Sequence, residues 1–328
     1  MGIIFNCCKK KKISDEKFSF IFGLKNLGNT CFMNSSLQCI LNSTKFLESL
    51  EKIQNKFYSE MELTSEIIKI FEKLKKGETL LNPSKIKNIL SGVEEKYKYH
   101  EQQDANEFIT IFLNQILKES IGIGNYRPNH LPNDQLEKMA YYKLEKKFFL
   151  HYKSFLLNLF YGRLKREYIC ENEHVCLVKF NNYNTLILPH AINSNDLIDL
   201  LKLYQESKPI EDKIYCNICK SEKKYCIKTS IYDIPEYFIL CLEKETIHLS
   251  DGLKYPKILD TKDFANNISA KYSLNSLIVY FGNRKSGHYT AKCLKKDGWY
   301  HISDVNYKKI EINEVEDKNA IILFYEKI

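Results

Sequence analysis

Cys31 is the residue of this sequence best suited to act as a nucleophile. It follows a polar loop punctuated by glycines, Gly23–Thr30, and opens an apolar run in which Met33 and Leu37 recur at helical spacing. At the first turn of a helix, unpaired backbone N–H groups and the positive end of the helix dipole favour the thiolate over the thiol. A buried core cysteine is the alternative interpretation. Against it, Asn26 lies close before Cys31, where its amide can donate to the oxyanion formed when a thiolate attacks a carbonyl.

A cysteine nucleophile needs a base, and His288 is the best candidate among the histidines. Gly287 before it allows close approach of a ligand to the backbone, and the residues after it alternate as in a strand. The stretch Lys295–Gly298 predicts a turn, and Trp299–Asp304 returns as the partner strand. We therefore expect the base at one end of a β-hairpin.

Ser303 and Asp304 are the two candidates for the residue that orients the imidazole of His288. In an antiparallel hairpin with an even loop, Ser303 shares the face of His288 and Asp304 points to the other face. A bulge or an odd loop would reverse this assignment. Asp304 is chemically the better orienting group because its charge stabilises an imidazolium, so it stays a candidate, either through water or in the oxyanion region.

Two helices and a set of strands are expected to position these residues. One helix begins at Cys31, with Thr30 as its predicted N-cap, and a second follows Asp104 with an apolar stripe from Ala105 to Ile116. From about Phe148 the sequence changes to short β-branched and aromatic runs that predict strands at 177–180, 185–188, 237–242 and 276–280. A helical part followed by a strand-rich part predicts an α+β fold with a cleft where the two parts meet.

Length and composition argue against several classes of protein. A chain of 328 residues, 44% of them hydrophobic, can bury a large core, so we do not expect disorder. There is no uninterrupted apolar run of about 18 residues and no apolar secretory signal at the start, so we expect a cytoplasmic protein. Eleven cysteines at irregular spacing favour thiol chemistry, metal binding or buried small side chains over a disulfide framework.

The net charge of +8 is a weak indication of nucleic-acid binding. Residues 1–20 carry five lysines against two acidic residues, so part of the charge lies in one terminal segment. The chain has only four arginines, the side chain best suited to bidentate contacts with phosphate and guanine. We therefore expect no nucleic-acid partner.

Several segments resemble the ubiquitin-specific proteases. Residues 23–38, GLKNLGNTCFMNSSLQ, resemble the cysteine box of that family, and residues 287–291, GHYTA, with 299–304, WYHISD, resemble its histidine box. Three further segments are similar to family motifs in the same order: 100–108, HEQQDANEF, beside the cleft; 272–277, YSLNSL, before the histidine box; and 320–325, AIILFY, at the closing strand.

The resemblance covers residues 20–328 and implies the papain-like architecture of palm, thumb and fingers. It places a helical thumb at about 20–147 and strand-rich fingers and palm at about 148–328. It implies cleavage after the C-terminal glycine of ubiquitin, with ubiquitin and ubiquitinated proteins as partners and no cofactor for catalysis. Carried over by position, Cys31 is the nucleophile, His288 the base and Asn26 the oxyanion donor. Most members have Asp or Asn at the position of Ser303, so the serine resembles a minority variant.

The family often carries a zinc site in the fingers, built from two Cys-x-x-Cys pairs. The second pair is present here as Cys216 and Cys219, whereas the first half contains Cys170, His174 and Cys176. Zinc requires four nitrogen or sulfur ligands, which Cys170, His174, Cys216 and Cys219 supply, with Cys176 competing for the place of His174. Fingers that hold together without metal are the alternative.

Five residues near the predicted cleft are expected to bind substrate. Asp104 and Glu107 lie three residues apart on one helix face, where they can meet arginines of the ubiquitin tail; an acidic first turn that complements the helix dipole is the alternative. Tyr289 is expected to form a wall of the slot that admits glycines, and an ordinary core tyrosine is the alternative. The remaining two expected binding residues are Gln103 and Gly287.

The first nineteen residues form a basic segment, of which Met1–Lys12 resembles a lipidated terminus. Gly2 matches an N-myristoylation signal except that Asn6 stands where Ser or Thr is preferred, and Cys7 and Cys8 are placed for S-palmitoylation. Lys9–Lys12 would meet anionic headgroups. The interpretation is attachment to the cytoplasmic face of a membrane, and a solvated basic tail is the alternative.

Two functions from other classes compete with a thiol isopeptidase. One is a catalytically weak or silent module that only binds ubiquitin, which the unusual Ser303 keeps open. The other is a zinc-dependent nucleic-acid binder, which the scarcity of arginine disfavours.

Overall fold

A computed structural model of the chain describes residues 18–54, 60–124, 126, 132–189, 194–243, 252–265, 268–282 and 286–328. The predicted lipidation sites Gly2, Cys7 and Cys8 lie outside these ranges. Within them, no helix has the length and apolar character needed to cross a membrane.

Helices dominate the described chain up to Phe160. The described residues form nine α-helices: α1 Cys31–Ile40, α2 Thr44–Ile53, α3 Glu62–Lys75, α4 Ser84–Val93, α5 Ala105–Glu119, α6 Gln135–Leu144, α7 Leu150–Tyr152, α8 Leu156–Phe160 and α9 Leu197–Tyr204. A π-helical turn at Glu145–Phe149 joins α6 to α7. The helical part therefore continues beyond residue 147, where the aromatic runs of the sequence suggest that strands begin.

Helix α1 is buried along its whole length. All ten of its residues are buried, because α5 packs on one side of it and the large sheet packs on the other. Its polar side chains bond to nearby backbone: Gln38 donates to the carbonyl of Phe22 at 2.8 Å, and Ser36 donates to that of Phe32 at 2.7 Å. A helix that is buried on every side, and whose polar side chains also make hydrogen bonds, belongs inside a domain.

Most of the chain after Phe160 forms strands, which follow two short strands among the helices. The strands are β1 Gly23–Leu24, β2 Leu80–Leu81, β3 Gly162–Cys170, β4 Val175–Tyr183, β5 Leu186–Leu188, β6 Lys208–Cys216, β7 Ser221–Asp233, β8 Tyr237–Leu242, β9 Ile258–Asp260, β10 Lys271–Gly282, β11 Gly287–Lys295, β12 Gly298–Ser303, β13 Asn306–Ile310 and β14 Ala320–Lys327. Three of the four strand segments expected from sequence fall within β4, β8 and β10, and the fourth, 185–188, coincides with β5 except for its first residue.

The strands form one large sheet and two smaller ones. The large sheet has the order β13-β12-β11-β10-β14-β8-β5, with β9 also paired to β10. One face packs on α1 and the other helices of the first half, and the opposite face packs on α9. A separate sheet of order β4-β3-β7-β6 extends from the large one, and β1 pairs with β2.

The long sheet of β4, β3, β7 and β6 matches the expected fingers, and a buried ion cluster lies at its base. The guanidinium of Arg163 on β3 donates to carboxylate oxygens of Glu145 and Asp233, and all three residues are buried. The ring of Phe149 lies 3.9 Å from the guanidinium carbon. The cluster ties the π-helical turn to β3 and β7, so it fixes the fingers on the helical half.

Candidate active site

The nucleophile candidate lies where a loop enters the buried helix. Cys31 is the first residue of α1 and only 3% exposed. Thr30 occupies the N-cap position as predicted, but its hydroxyl accepts from the backbone N–H of Leu27 at 2.8 Å instead of capping the helix. The side chain of Thr30 thus holds the loop rather than the helix end.

Asn26 organises the loop before Cys31. Its Oδ1 accepts from the backbone N–H groups of Gly28 at 3.0 Å and of Thr30 at 3.2 Å. Gly28 has a φ of +92°, and a Cβ there would lie 2.4 Å from the ring of His100, so only glycine fits the turn. The Oδ1 is engaged by the loop, and the Nδ2 side of the amide is left to donate.

The base candidate lies at the start of β11, as the sequence predicts. His288 pairs with Phe281 of β10, and β11 returns as β12 through a tight turn in which Lys295 pairs with Gly298. Ala291 pairs with Ile302, which by continuation sets Thr290 opposite Ser303. The loop is even, so His288 and Ser303 share a face.

The third member of the predicted triad is in contact with the base. Nε2 of His288 lies 2.8 Å from Oγ of Ser303. If Nε2 carries the proton and donates to Ser303, Nδ1 is the basic nitrogen available to a thiol. The geometry therefore gives Ser303 the position of the orienting residue.

Asp304 points away from the base, as strand alternation requires. It has a φ of +51° in the tight turn between β12 and β13, a conformation that aspartate tolerates better than most residues. Its carboxylate accepts from Nδ2 of Asn26 at 2.9 Å and from Nδ2 of Asn34 at 2.7 Å. Its own carbonyl accepts from the N–H of Leu24 at 2.8 Å. Asp304 therefore contacts the amides of Asn26 and Asn34 rather than the imidazole of His288.

Gln102 joins the two halves of the site, although its sequence context does not set it apart from Gln103. Its Nε2 lies 3.5 Å from Sγ of Cys31 and also donates to the carbonyl of Gly287. Its Oε1 accepts from the N–H of Gly287 at 3.1 Å. Gln103 instead lines a small pocket against α1.

The acidic pair at the start of α5 has structural partners. Asp104 is the N-cap of α5, and its Oδ1 accepts from the N–H groups of Asn106 at 2.8 Å and Glu107 at 3.1 Å. The carboxylate of Glu107 forms an ion pair with Lys96 and is about half exposed. The direct contacts of Asp104 therefore agree with the alternative interpretation, in which it stabilises the start of the helix.

Tyr289 lies on the opposite face of β11 from His288. It is 7% exposed, and its ring packs 4.7 Å from that of Tyr280, centre to centre. Burial raises the pKa of its hydroxyl well above the ordinary value. A Cβ on Gly287 would lie 2.4 Å from the Tyr280 ring, so the glycine lets Tyr280 and the backbone approach closely.

The four predicted zinc ligands converge at the tip of the fingers. The ligand atoms of Cys170, His174, Cys216 and Cys219 all lie within 4.8 Å of one another. Sγ of Cys170 lies 3.8 Å from Sγ of Cys216, and Nδ1 of His174 lies 3.3 Å from Sγ of Cys219. Ligand separations of about 3.3–3.8 Å are the edges of a tetrahedron with zinc–ligand distances of about 2.0–2.3 Å.

The competing thiol of Cys176 lies beside the cluster, where it also interacts with the thiols of Cys216 and Cys170. It donates to the carbonyl of His174 at 3.5 Å, and burial raises its pKa to about 12. The N–H of Cys219 donates to Sγ of Cys216 at 3.4 Å and is the main cause that lowers the pKa of Cys216 to about 6. Because zinc binds thiolates, this donor set fits the metal.

Comparisons with known proteins agree with this arrangement. Residues 22–325 match the family described as "Ubiquitin carboxyl-terminal hydrolase". The chain is 27% identical to human ubiquitin carboxyl-terminal hydrolase 2, over 93% of this chain and 54% of that protein. It is 25% identical to human ubiquitin carboxyl-terminal hydrolase 21, over 93% of this chain and 61% of that protein. The chain thus spans only about half the length of these curated relatives.

A solved structure shares the fold. A chain of the SAGA DUB module of Ubp8, Sgf11, Sus1 and Sgf73 bound to monoubiquitin superposes with a TM-score of 0.77 at 22% identity, covering 98% of this chain and 72% of that one. A chain of the yeast SAGA DUB module, also at 22% identity, gives a TM-score of 0.74. The α+β architecture of helical half, large sheet and fingers expected from sequence is confirmed.

Proposed function

Because this chain belongs to the ubiquitin carboxyl-terminal hydrolase family, we propose that it is a thiol-dependent deubiquitinase that cleaves the bond after the C-terminal glycine of ubiquitin. The observation that carries the proposal is the contact of one side chain with both halves of the site. Gln102 bonds to the backbone of Gly287, next to His288, and lies within 3.5 Å of Sγ of Cys31. Nucleophile and base are therefore held at one point of the cleft.

The proposed reaction uses five residues. The Cys31 thiol gives its proton to Nδ1 of His288, and the thiolate attacks the carbonyl carbon of the terminal glycine. The oxyanion accepts from the Asn26 amide, which Asp304 orients. The imidazolium, held through Nε2 by Ser303, returns its proton to the leaving amine as the carbon–nitrogen bond breaks. Water, deprotonated by His288, then hydrolyses the thioester and frees the thiol.

Substrate recognition is proposed along the start of α5 and the edge of β11. Glu107 is about half exposed, so its carboxylate can exchange Lys96 for an arginine of the ubiquitin tail. Asp104 adds negative charge on the same turn while its Oδ1 holds the helix end. Gly287, Tyr289 and Gln103 are proposed as further contacts of the tail.

A ubiquitin that carries a C-terminal vinyl sulfone tests the proposal. The thiolate adds to the vinyl carbon only if Cys31 is reactive and ubiquitin is correctly seated. We expect an adduct on Cys31 in the wild type, none in Cys31→Ser, and loss of hydrolysis of a fluorogenic ubiquitin amide in the same variant. Binding of ubiquitin without an adduct would favour a silent binding module, and retained turnover in Cys31→Ser would contradict the nucleophile.

A structural zinc ion in the fingers is a second part of the proposal. Cys170, His174, Cys216 and Cys219 would hold it, supported by their mutual distances. The ion would cross-link the β3–β4 and β6–β7 turns and take no part in the reaction. Its role would be to keep the fingers in the shape that meets ubiquitin.

Membrane attachment is the third part, and it rests on sequence alone. Gly2, Cys7 and Cys8 supply acylation signals, and Lys9–Lys12 add attraction to anionic lipid. One acyl chain gives only marginal binding, so more than one signal would be needed. The enzyme would then act on the cytoplasmic face of a membrane.

A further inference from the structure

We propose that Gln102 is a catalytic hydrogen-bond donor that stabilises the Cys31 thiolate and at the same time fixes the start of β11, which carries His288. This inference rests on the proposed thiol chemistry of Cys31. It assigns a role to a side chain that touches the reacting sulfur and that the five-residue reaction leaves without a function.

Three contacts define the role. Nε2 of Gln102 faces Sγ of Cys31 at 3.5 Å and the carbonyl of Gly287, and Oε1 faces the N–H of Gly287. The amide thus pairs with the backbone of Gly287 as a neighbouring strand would, and its remaining N–H is directed to the sulfur. Both Nε2 and Oε1 of Gln102 therefore have hydrogen-bond partners within the site.

The orientation of the amide is determined by its partners. Exchange of Oε1 and Nε2 would set an oxygen against the carbonyl of Gly287 and against the sulfur, and an N–H against the N–H of Gly287. Only the observed orientation satisfies all three contacts. The sulfur therefore always faces a donor, which a thiolate accepts from more strongly than a thiol does.

The loop that carries Gln102 is anchored on both sides. Before it, Nδ1 of His100 lies 3.1 Å from the carbonyl of Leu27, and the carbonyl of His100 accepts from Nδ2 of Asn29 at 2.7 Å. After it, Asp104 caps α5. These contacts pin the loop to the segment that leads into Cys31, so the amide is held before substrate arrives.

The test uses alkylation of Cys31 by iodoacetamide, which needs no ubiquitin. Rates at Cys31 are followed by peptide mass spectrometry across pH in the wild type, Gln102→Leu and Gln102→Glu. Leucine removes the donor, and glutamate turns a carboxylate oxygen toward the sulfur. We expect the pH midpoint of alkylation to rise in Gln102→Leu and to rise further in Gln102→Glu. In both variants kcat/KM for a fluorogenic ubiquitin amide should fall roughly ten- to a hundredfold.

If loss of packing were the only effect, Gln102→Glu would shift the alkylation midpoint less than Gln102→Leu. Glutamate has the size of glutamine and can still accept from the N–H of Gly287. Gln135→Glu, on the exposed first turn of α6, is the matched control for charge and should alter neither quantity. Thermal unfolding checks that each variant folds. Unchanged alkylation midpoints in both variants would overturn the inference. A wild type that alkylates normally but does not cleave ubiquitin would instead contradict the proposed function.

Discussion

Nε2 of His288 lies 2.8 Å from the hydroxyl oxygen of Ser303, while the neighbouring Asp304 carboxylate binds the amides of Asn26 and Asn34. We therefore expect the orienting group of the base to be a neutral hydroxyl and the nearby charge to serve the oxyanion region. A hydroxyl can fix the tautomer and plane of an imidazole, but it gives an imidazolium no charge partner.

Replacement of Ser303 tests whether this hydroxyl orients the base. Ser303→Ala should lower kcat roughly ten- to a hundredfold, because Nε2 loses its partner and the ring can rotate away from Cys31. Ser303→Asp should raise kcat and move the acidic limb of the rate profile to higher pH, because a carboxylate stabilises the imidazolium. Both are read from steady-state kinetics with a fluorogenic ubiquitin amide. Wild-type kinetics in Ser303→Ala would refute the assignment.

Asp304 and Asn26 should behave as one unit. Asp304→Ala removes the acceptor that orients Nδ2 of Asn26, so it should lower kcat with little change in KM, as Asn26→Ala does. The double variant should be little worse than Asn26→Ala alone, whereas Ser303→Ala should add to either. A double-mutant cycle on kcat measures the coupling. Full additivity of Asp304→Ala and Asn26→Ala would show that the contact does not matter in the reaction.

The fingers should contain a removable metal. We expect about one zinc ion per purified chain by mass spectrometry of the metal, and a lower unfolding temperature after chelation. Cys216→Ser should lose the ion, because it removes one of four ligands. Cys176→Ser is the matched control and should keep it, since that thiol bonds to a backbone carbonyl. Loss of zinc in both variants would place Cys176 in the site.

The ion cluster at the base of the fingers should be a stability determinant. Arg163→Met leaves two buried carboxylates without their cation and should cost about 3–5 kcal/mol of unfolding free energy, measured by urea denaturation. Lys309→Met removes an exposed pair with Asp297 and should change the unfolding free energy far less, because solvent screens that pair.

The cost of Arg163→Met should depend on pH in a definite direction. Burial raises the pKa of Glu145 to about 7, the Tyr141 hydroxyl opposes part of this effect, and Arg163→Met removes the cation beside the carboxylate. A carboxyl whose pKa is raised in the folded state stabilises the fold below its unfolded pKa and loses that contribution as pH rises through the folded value. The variant should therefore regain stability relative to the wild type as pH falls from 7 toward about 5. A difference in unfolding free energy between variant and wild type that does not change with pH would contradict the presence of unpaired carboxylates.

Membrane attachment should require Gly2 together with Cys7 or Cys8. Gly2→Ala should release the protein from membranes if palmitoylation depends on a first, reversible membrane contact. Replacement of both cysteines should leave a partly membrane-bound population, with each lysine of Lys9–Lys12 adding roughly 1 kcal/mol at an anionic surface. Fractionation of cells that express these variants measures the distribution. A wild type found wholly in the soluble fraction would leave a solvated basic tail.

Local rules were sufficient for the main elements of the site. The start of α1 at Cys31, the hairpin that carries His288 and the shared face of His288 and Ser303 follow from helical periodicity, turn residues and strand alternation. Each depends on residues a few positions apart, so the order of the sequence determines them. The Cys-x-x-Cys pair similarly marked one half of the metal cluster.

Contacts between distant segments required the tertiary structure. The contact of Gln102 with Cys31 and Gly287 joins residues far apart in sequence, and nothing local separates Gln102 from Gln103. The partners of Asp304 depend on a loop meeting the turn after β12. The helical part runs to Phe160 because Glu145, Phe149 and Arg163 pack together, which outweighs the strand propensity of the aromatic residues. Side-chain partners depend on which elements pack together, and packing is a property of the whole chain.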